Sequence, residues 1–315
     1  MTGGTLAPES AAPGSTAPRR PRRPSGGIVG ESHRVGNISA QVFLFVAAVV
    51  WIVPVLWAVY LSLRPLEETN KYGYVSWPRS LTFQNYKDAW VNGGVWHYFL
   101  NSLWITVPAV VLTLFLASAL AFVIARLKLR FGLALLLVFT AGNLLPQQVF
   151  LAPLFKIYNA VMVPGWLSDS GKLYDSLAGL VVINVSFQLG FCVFVLSNFM
   201  QSVPESITEA AVVDGASVWT QYWRITLPLC RPALAAMATL LTTWIYNDFF
   251  WALALISNGS KYPITTALND LKGNYAVNNN LLSAGALIIA VPTLVVYLLL
   301  QRQFIAGLTL GSTKE

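Results

Sequence analysis

The sequence predicts an all-α integral membrane protein with six transmembrane helices. Three observations carry that expectation. Only 10% of the 315 residues are charged and 56% are hydrophobic, whereas a soluble domain carries about 25% charged residues. Mean hydropathy is +0.60. Six separate apolar runs are long enough to cross a hydrocarbon core of about 30 Å, which takes about 20 helical residues. The runs are continuous and do not alternate, so they read as helices and not as barrel strands.

Residues 1–36 form a low-complexity tail rich in Pro, Gly, Ser, Ala and Arg, including Arg19-Arg20-Pro21-Arg22-Arg23-Pro24. Too little apolar surface is available there to offset ordering entropy, so the tail reads as disordered. Its arginines suit an orienting role or contact with anionic lipid heads. Interrupting prolines and the lack of a following small-residue cleavage site argue against a twin-arginine export signal. Residues 37–315 read as one membrane domain. Its spans fall at roughly 41–61, 102–125, 131–155, 177–199, 233–256 and 281–300. The third span (AGNLLPQQVF) and the fourth (INVSFQLG) carry polar residues. Polar groups in a bilayer need partners, so those faces should turn into a bundle.

Loop charges set the orientation. Arg126, Lys128 and Arg130 crowd the short connection between the second and third spans, as cytoplasmic loops do. The N-terminal tail, the 200–232 loop and the C-terminal tail then share that side. Together these segments hold 12 Lys+Arg against 6 Asp+Glu, and the opposite loops hold 8 against 6. Both termini are therefore expected in the cytoplasm. The outer loop 62–101 is rich in Trp and Tyr, which favour the membrane interface.

Several function classes are disfavoured. The net charge of +7 comes from basic residues beside apolar spans, so it reads as topology and not as nucleic-acid binding. Cys192 and Cys230, with the distant His33 and His97, give neither a disulfide framework nor a metal-ligand spacing. No catalytic motif and no cofactor-binding motif is present. No Gly-x-x-x-x-Gly-Lys-Ser/Thr phosphate loop exists, so any ATP hydrolysis belongs to a separate chain.

The most informative stretch is 202–232. Ser202 and Glu205 have the spacing of a capping box. Ile207, Ala210, Ala211 and Asp214 follow at helical spacing. Gly215 supplies a C-cap, because it takes positive φ freely. Ser217 can cap a second short helix with an apolar stripe at Val218, Tyr222 and Ile225. Pro228 and Pro232 end that helix and restart the chain into the fifth span. The loop is thus expected to be an amphipathic helix–turn–helix lying against the membrane, with Ala210 and Ala211 small enough for another protein surface to approach.

This stretch resembles the EAA loop of ATP-binding-cassette importer permeases. Glu209-Ala210-Ala211 is followed by three residues, Gly215, nine residues, Ile225, one residue and Leu227-Pro228. The resemblance implies a type I importer permease in which this loop is the coupling helix that docks on an ATPase subunit. Glu209, Ala210, Ala211, Asp214, Gly215, Ile225, Leu227 and Pro228 would form or brace the dock. Further elements resemble the maltose-type sugar permeases: Pro54–Arg64, Phe83-Gln84-Asn85-Tyr86, Trp244–Phe250 (WIYNDFF) and the C-terminal FIAGLTLGSTK. Ala252-Leu253 departs from the pattern, where a Pro often follows the fifth-span element. The implied partners are a second, larger permease subunit, two ATPase subunits, an extracellular binding protein, a sugar-like solute and membrane lipid.

Two further sites follow as candidates. Asp248 is the one acid within a span, where a carboxylate is costly and marks function by default. With Asn247 it either lines the translocation path or forms a structural pair. The outer segment 257–280 is the most polar outer loop, and Asn258-Gly259-Ser260 can form a tight turn. In the sugar importers the corresponding loop reaches the binding protein, which makes Asn258, Gly259, Ser260 and Lys261 candidate contacts. The rival readings are a permease for another solute such as glycerol phosphate, which would carry the same loop, and a secondary transporter, which a single intramembrane acid supports poorly.

Overall fold

The computed structural model of the protein describes residues 29–127, 130–268 and 278–309, with side chains from Ile38 onward except at positions 133, 143, 144, 300 and 302–309. Outside that range fall Lys128 of the basic cluster, most of the N-terminal tail, residues 269–277 of the outer loop and the end of the C-terminal tail. The described residues are helical, with one isolated bridge between Met162 and Lys172. Two compact units are distinguished, Met1–Pro54 and Val55–Glu315.

The first unit contains most of α1 (Val29–Ser62). The helix begins at Val29, inside the stretch read above as a disordered tail. The prolines of that tail end at Pro24, and positions 29–36 hold none to stop the helix extending backward from the apolar run. Its apolar side chains, including Phe43, Phe45, Val50 and Trp51, are exposed within this unit. A helix apolar all round suits lipid.

The second unit is framed by two long helices, α4 (Val95–Arg126) and α7 (Leu177–Ser202). They make the most extensive helix pair of the unit. Ser102, Thr106, Ala109, Thr113, Ala117 and Ala121 form a buried stripe of small side chains on α4. Small residues let backbones approach closely, which is how helices associate where lipid removes the hydrophobic drive. Leu180, Ile183, Val193, Leu196 and Met200 fill the facing side from α7. Ser176 caps α7 by accepting the Gly179 N–H at 3.0 Å.

Two other spans are broken. In place of one span at 131–155, the chain forms α5 (Gly132–Leu144), a 3₁₀ turn at Gln147–Phe150 and α6 (Leu151–Ala160), bent by 91°. The cause is Pro146, which forces Leu145 into an extended conformation, ψ 135°. In place of one span at 233–256, the chain forms α11 (Arg231–Tyr246) and α12 (Phe250–Leu255), separated at Asn247–Phe249. Sixteen residues of α11 rise about 24 Å, short of the hydrocarbon core. The last span is α14 (Asn279–Thr309). Among the described residues four helices are long and apolar enough to span alone, and up to six if two bent pairs, Ala134–Gly142 with Gln147–Ala160 and Val218–Leu229 with Arg231–Tyr246 (bent by 72°), each count as one.

A polar knot closes one end of the unit, where α2 (Leu66–Tyr72) and α3 (Gln84–Val91) lie. Arg64 is fully buried. It donates to the carbonyls of Gly73 and Tyr74 at 3.1 and 3.2 Å and to Glu68 at 3.3 Å. Asn85 donates to the carbonyls of Ser62 and Arg64 at 2.9 and 2.8 Å, which gives the Phe83–Tyr86 element a structural role. Asn280 at the start of α14 also reaches the Arg64 carbonyl, at 2.9 Å. The Arg79 and Ser80 N–H groups and the Arg64 guanidinium hold the Glu68 carboxyl below its ordinary range.

Candidate functional site

The 202–232 stretch folds as a helix–turn–helix. α8 (Glu205–Val213) starts after Pro204, not at Ser202. Ser202 still belongs to α7, and its hydroxyl bonds back to the Phe199 carbonyl at 2.7 Å. Pro204 begins α8 instead, since its missing N–H costs nothing ahead of a first turn. At the other end Gly215 sits at φ +77°. The Gly215 N–H bonds the Val212 carbonyl at 3.0 Å and the Ala216 N–H bonds the Ala211 carbonyl at 2.9 Å. That pair of bonds is a Schellman motif.

Ser217 then caps the second helix by accepting the Thr220 N–H at 3.3 Å. This helix comprises α9 (Val218–Thr220), a π turn at Gln221–Thr226 and α10 (Leu227–Leu229). The Leu227 N–H reaches back five residues to the Tyr222 carbonyl. The widened turn lies directly ahead of Pro228, which has no N–H to continue the regular ladder. Ile225, Leu227 and Pro228 are half-buried here.

The side chains divide cleanly by exposure. Glu209, Ala210, Val212, Val213, Asp214 and Gly215 are exposed, while Ala211 is buried. Ala211 therefore seats α8 on its own subunit and is not part of the free face. Val212 and Val213, which are mere spacers in the motif, are 59% and 87% exposed. A groove of about 400 Å³ runs between α8 and the end of α4, lined by Arg126, Glu205 and Glu209 among others. The second helix is tied to the frame. Tyr222 is buried, its hydroxyl lies 2.8 Å from that of Ser118 on α4, and its ring packs on Phe122.

At the α11–α12 break a second feature appears. A cavity of about 550 Å³ is lined by the amides of Gln147, Asn184, Gln188 and Asn247 and by the Asp248 carboxylate, with Trp244 and Trp251 on its walls. Binding pockets run from about 300 to 1,000 Å³. Asp248 does not pair with its neighbour Asn247, which bonds the Thr243 carbonyl at 2.8 Å. Its carboxylate instead accepts from the Trp251 N–H at 3.3 Å and from Asn184 on α7 at 3.5 Å. The break thus delivers Asn247 and Asp248 to the same space as the polar face of α7.

The outer segment is tied down at its first part. The Asn258 side chain accepts the Ser260 N–H at 3.1 Å, giving a tight turn. Asp175 accepts the N–H groups of Ser257 and Asn258, each at 2.9 Å. Lys261 bonds the Asp175 carbonyl at 2.9 Å, and His97 and Asn101 donate to the Ser260 carbonyl at 2.6 and 2.9 Å. A Cβ at Gly259 would meet only the Tyr262 ring, at 3.9 Å. Residues 258–261 are therefore anchored to α4 and to the turn ahead of α7. The longer stretch at 269–277 lies outside the described residues.

Residues 95–306 match the family described as binding-protein-dependent transport system inner membrane component. The chain belongs to this family. The permease is 29% identical to the diacetylchitobiose uptake system permease protein of Streptomyces coelicolor, over 87% of each chain. It is likewise 29% identical to the trehalose transport system permease protein of Mycobacterium tuberculosis, over 84% of this chain and 92% of that one. Its fold is similar to that of a bacterial ABC transporter involved in the import of the acidic polysaccharide alginate. There the TM-score is 0.67 at 22% identity, covering 87% of this chain and 98% of that chain. The permease is a transport component and not an enzyme.

Gln147, Asn184, Gln188 and Trp251 of this permease escape a reading of single motifs. Their signal lies in the polar residues of the third and fourth spans. Asn184 and Gln188 are four apart and share one helix face, and Gln147 follows the Pro146 break. Only the tertiary arrangement joins them to Asp248.

Proposed function

We propose that this permease forms, with a second permease subunit, the path for a sugar or oligosaccharide delivered by an extracellular binding protein, and that two ATPase subunits drive it through α8. The observation that carries this reading is the exposed, Schellman-capped end of α8, with Glu209, Val212, Val213 and Gly215 free of the subunit's own core. A short rigid helix with an apolar tip and an acidic flank suits a groove on another protein. The Tyr222–Ser118 contact carries its movement into α4. Closure of the motors would then turn the frame between inward- and outward-facing states as a rigid body.

In this reading α8 and both termini face the cytoplasm of a bacterial cell. The cavity at Asn247 and Asp248 belongs to the translocation path, and the named solutes of the relatives favour a saccharide. Asn258–Lys261 is the anchored base of the outer face that meets the binding protein.

Gly215→Pro and Glu209→Lys test the dock. Proline fixes φ near −65° and removes an N–H, so it abolishes the cap that holds the tip. Both variants are expected to insert normally and to lose solute-stimulated ATPase activity and uptake in reconstituted importer. Normal uptake in both would remove α8 from the motor interface. Labelling of Thr220→Cys from outside intact cells would reverse the orientation and end the reading.

A further inference from the structure

We propose that the cavity at the α11–α12 break is a subsite for an uncharged saccharide ring and repels anionic sugars; this rests on the reading of that cavity as part of the path. The walls supply four carboxamides, from Gln147, Asn184, Gln188 and Asn247. Each can donate and accept, which matches a sugar hydroxyl that must do both. Among the described residues the one charged group in the lining is Asp248, and no Lys, Arg or His joins it. An ionised carboxylate only accepts hydrogen bonds. It therefore binds hydroxyl or ammonium groups and has nothing to offer the carboxylate of a uronate.

The rings add shape to the polarity. Trp251 is held against Phe187 with centroids 4.9 Å apart, and Trp244 against Phe191 at 5.4 Å. Trp251 is 2% exposed and only backs the wall, whereas Trp244 is 43% exposed, and its fixed face presents flat apolar area at little entropic cost, which suits the C–H face of a pyranose. The carboxylate is equally fixed, by the Trp251 N–H and by Asn184. A single charge held in a cleft with low-dielectric walls focuses its field on whatever enters. The permease shares its fold with an importer of an acidic polysaccharide, so the helical frame alone does not set the charge of the solute, and any discrimination within the permease lies in a lining such as this one.

Thiol labelling reads the sign of that field directly. Cys192 and Cys230 are both fully buried, so background reaction is small. Asn247→Cys, with Thr243→Cys as a second reporter one turn away, is reacted within the assembled importer. The reagents are a cationic trimethylammonium and an anionic sulfonate methanethiosulfonate, each rate normalised to free cysteine. A cation-over-anion preference on the order of ten-fold is expected from such focusing, falling toward one when Asp248→Asn is added and when salt is raised. Trehalose should slow the labelling and a uronic-acid disaccharide at the same concentration should not.

A ratio near one with Asp248 intact overturns the charge discrimination while leaving the path reading in place. Protection by the uronate, or by neither sugar, overturns the subsite. Failure of both reagents to label either reporter, while Ser170→Cys on the outer surface reacts, counts against the path itself.

Discussion

α4 and α7 run unbroken for 32 and 26 residues, whereas the chain at 132–160 and at 231–255 breaks within what its composition alone marks as single spans. Proline does not explain the difference by itself, because α4 carries Pro108 in its interior and stays one helix. Freed backbone groups at membrane depth are tolerated where protein or water satisfies them. Pro108 lies within the packed frame, flanked by the buried Thr106 and Ala109. The breaks at Leu145-Pro146 and Asn247–Phe249 both deliver side chains to one polar cavity, Gln147 from the first and Asn247 and Asp248 from the second. The unbroken pair is a frame, and the broken helices bring polar groups together in one cavity beside it, which in the proposed reading is where a polar solute passes.

If α12 is a wedge set into that frame, its anchor should matter most. Trp251 is 2% exposed and packs on Phe187 of α7. Trp251→Ala is expected to cost about 3–5 kcal/mol, the range for emptying a large buried aromatic site, read as thermal unfolding of the purified assembly. A loss below about 1 kcal/mol, in the range of surface changes, would show that α12 is not wedged and that the comparison fails. Gly179 tests the frame at the first turn of α7. An added Cβ would collide with the Leu173 backbone carbonyl, which cannot swing away as a side chain can. Gly179→Ala is expected to cost about 1–3 kcal/mol, as overpacking does, in the same measurement.

The frame is legible in the sequence because apolar runs and small residues at helical spacing are local properties. The 202–232 helix–turn–helix is legible for the same reason: the turn at Gly215 and the cap at Ser217 are set by residues within a few positions of each other. Ser202 misleads because a capping pair looks the same whether the helix starts there or the preceding one has yet to end, and Pro204 decides between them. The cavity is legible only in pieces. Asn184, Gln147 and Asp248 are separated along the chain, and their meeting depends on how α7 packs against two breaks. Anchoring of Asn258–Lys261 is hidden for that reason too, since its partners Asp175, His97 and Asn101 all lie in other segments.

Tyr222→Phe sharpens the link between the frame and the second helix of the 202–232 stretch. It removes one hydrogen bond, to Ser118 at 2.8 Å, and leaves the ring against Phe122. Hydrogen bonds between membrane helices average about 0.6 kcal/mol, with a maximum of about 1.7. Tyr222→Phe and Ser118→Ala should each fall in that range, and the double variant should cost less than their sum, because both remove the same bond. Additive losses would mean that the two hydroxyls have separate partners and that the second helix is not latched to α4.

The smallest effect concerns the outer tether of the broken fifth span. Past α12, the chain is held to the start of α7 by Asp175, which sits at φ +57° and accepts from Ser257, Asn258 and Lys261. Burial pushes its carboxyl upward, but those two N–H groups and the Lys261 ammonium outweigh it, and the net shift is downward. A carboxyl whose pKa is lower in the folded state stabilises that state above its unfolded value, near pH 4, and loses the contribution as pH falls through the folded value. The tether should hold from neutrality down to about pH 4 and loosen below that. Hydrogen exchange of the peptide spanning residues 257–263, normalised for intrinsic rate, should stay slow across the upper range and rise only in stronger acid. Asp175→Asn should raise it already at neutral pH, since the amide keeps an acceptor but loses the charge that Lys261 pairs with. Equal protection in that variant would assign the tether to the ion pair of Lys261 with Asp169 and to His97 and Asn101 on α4.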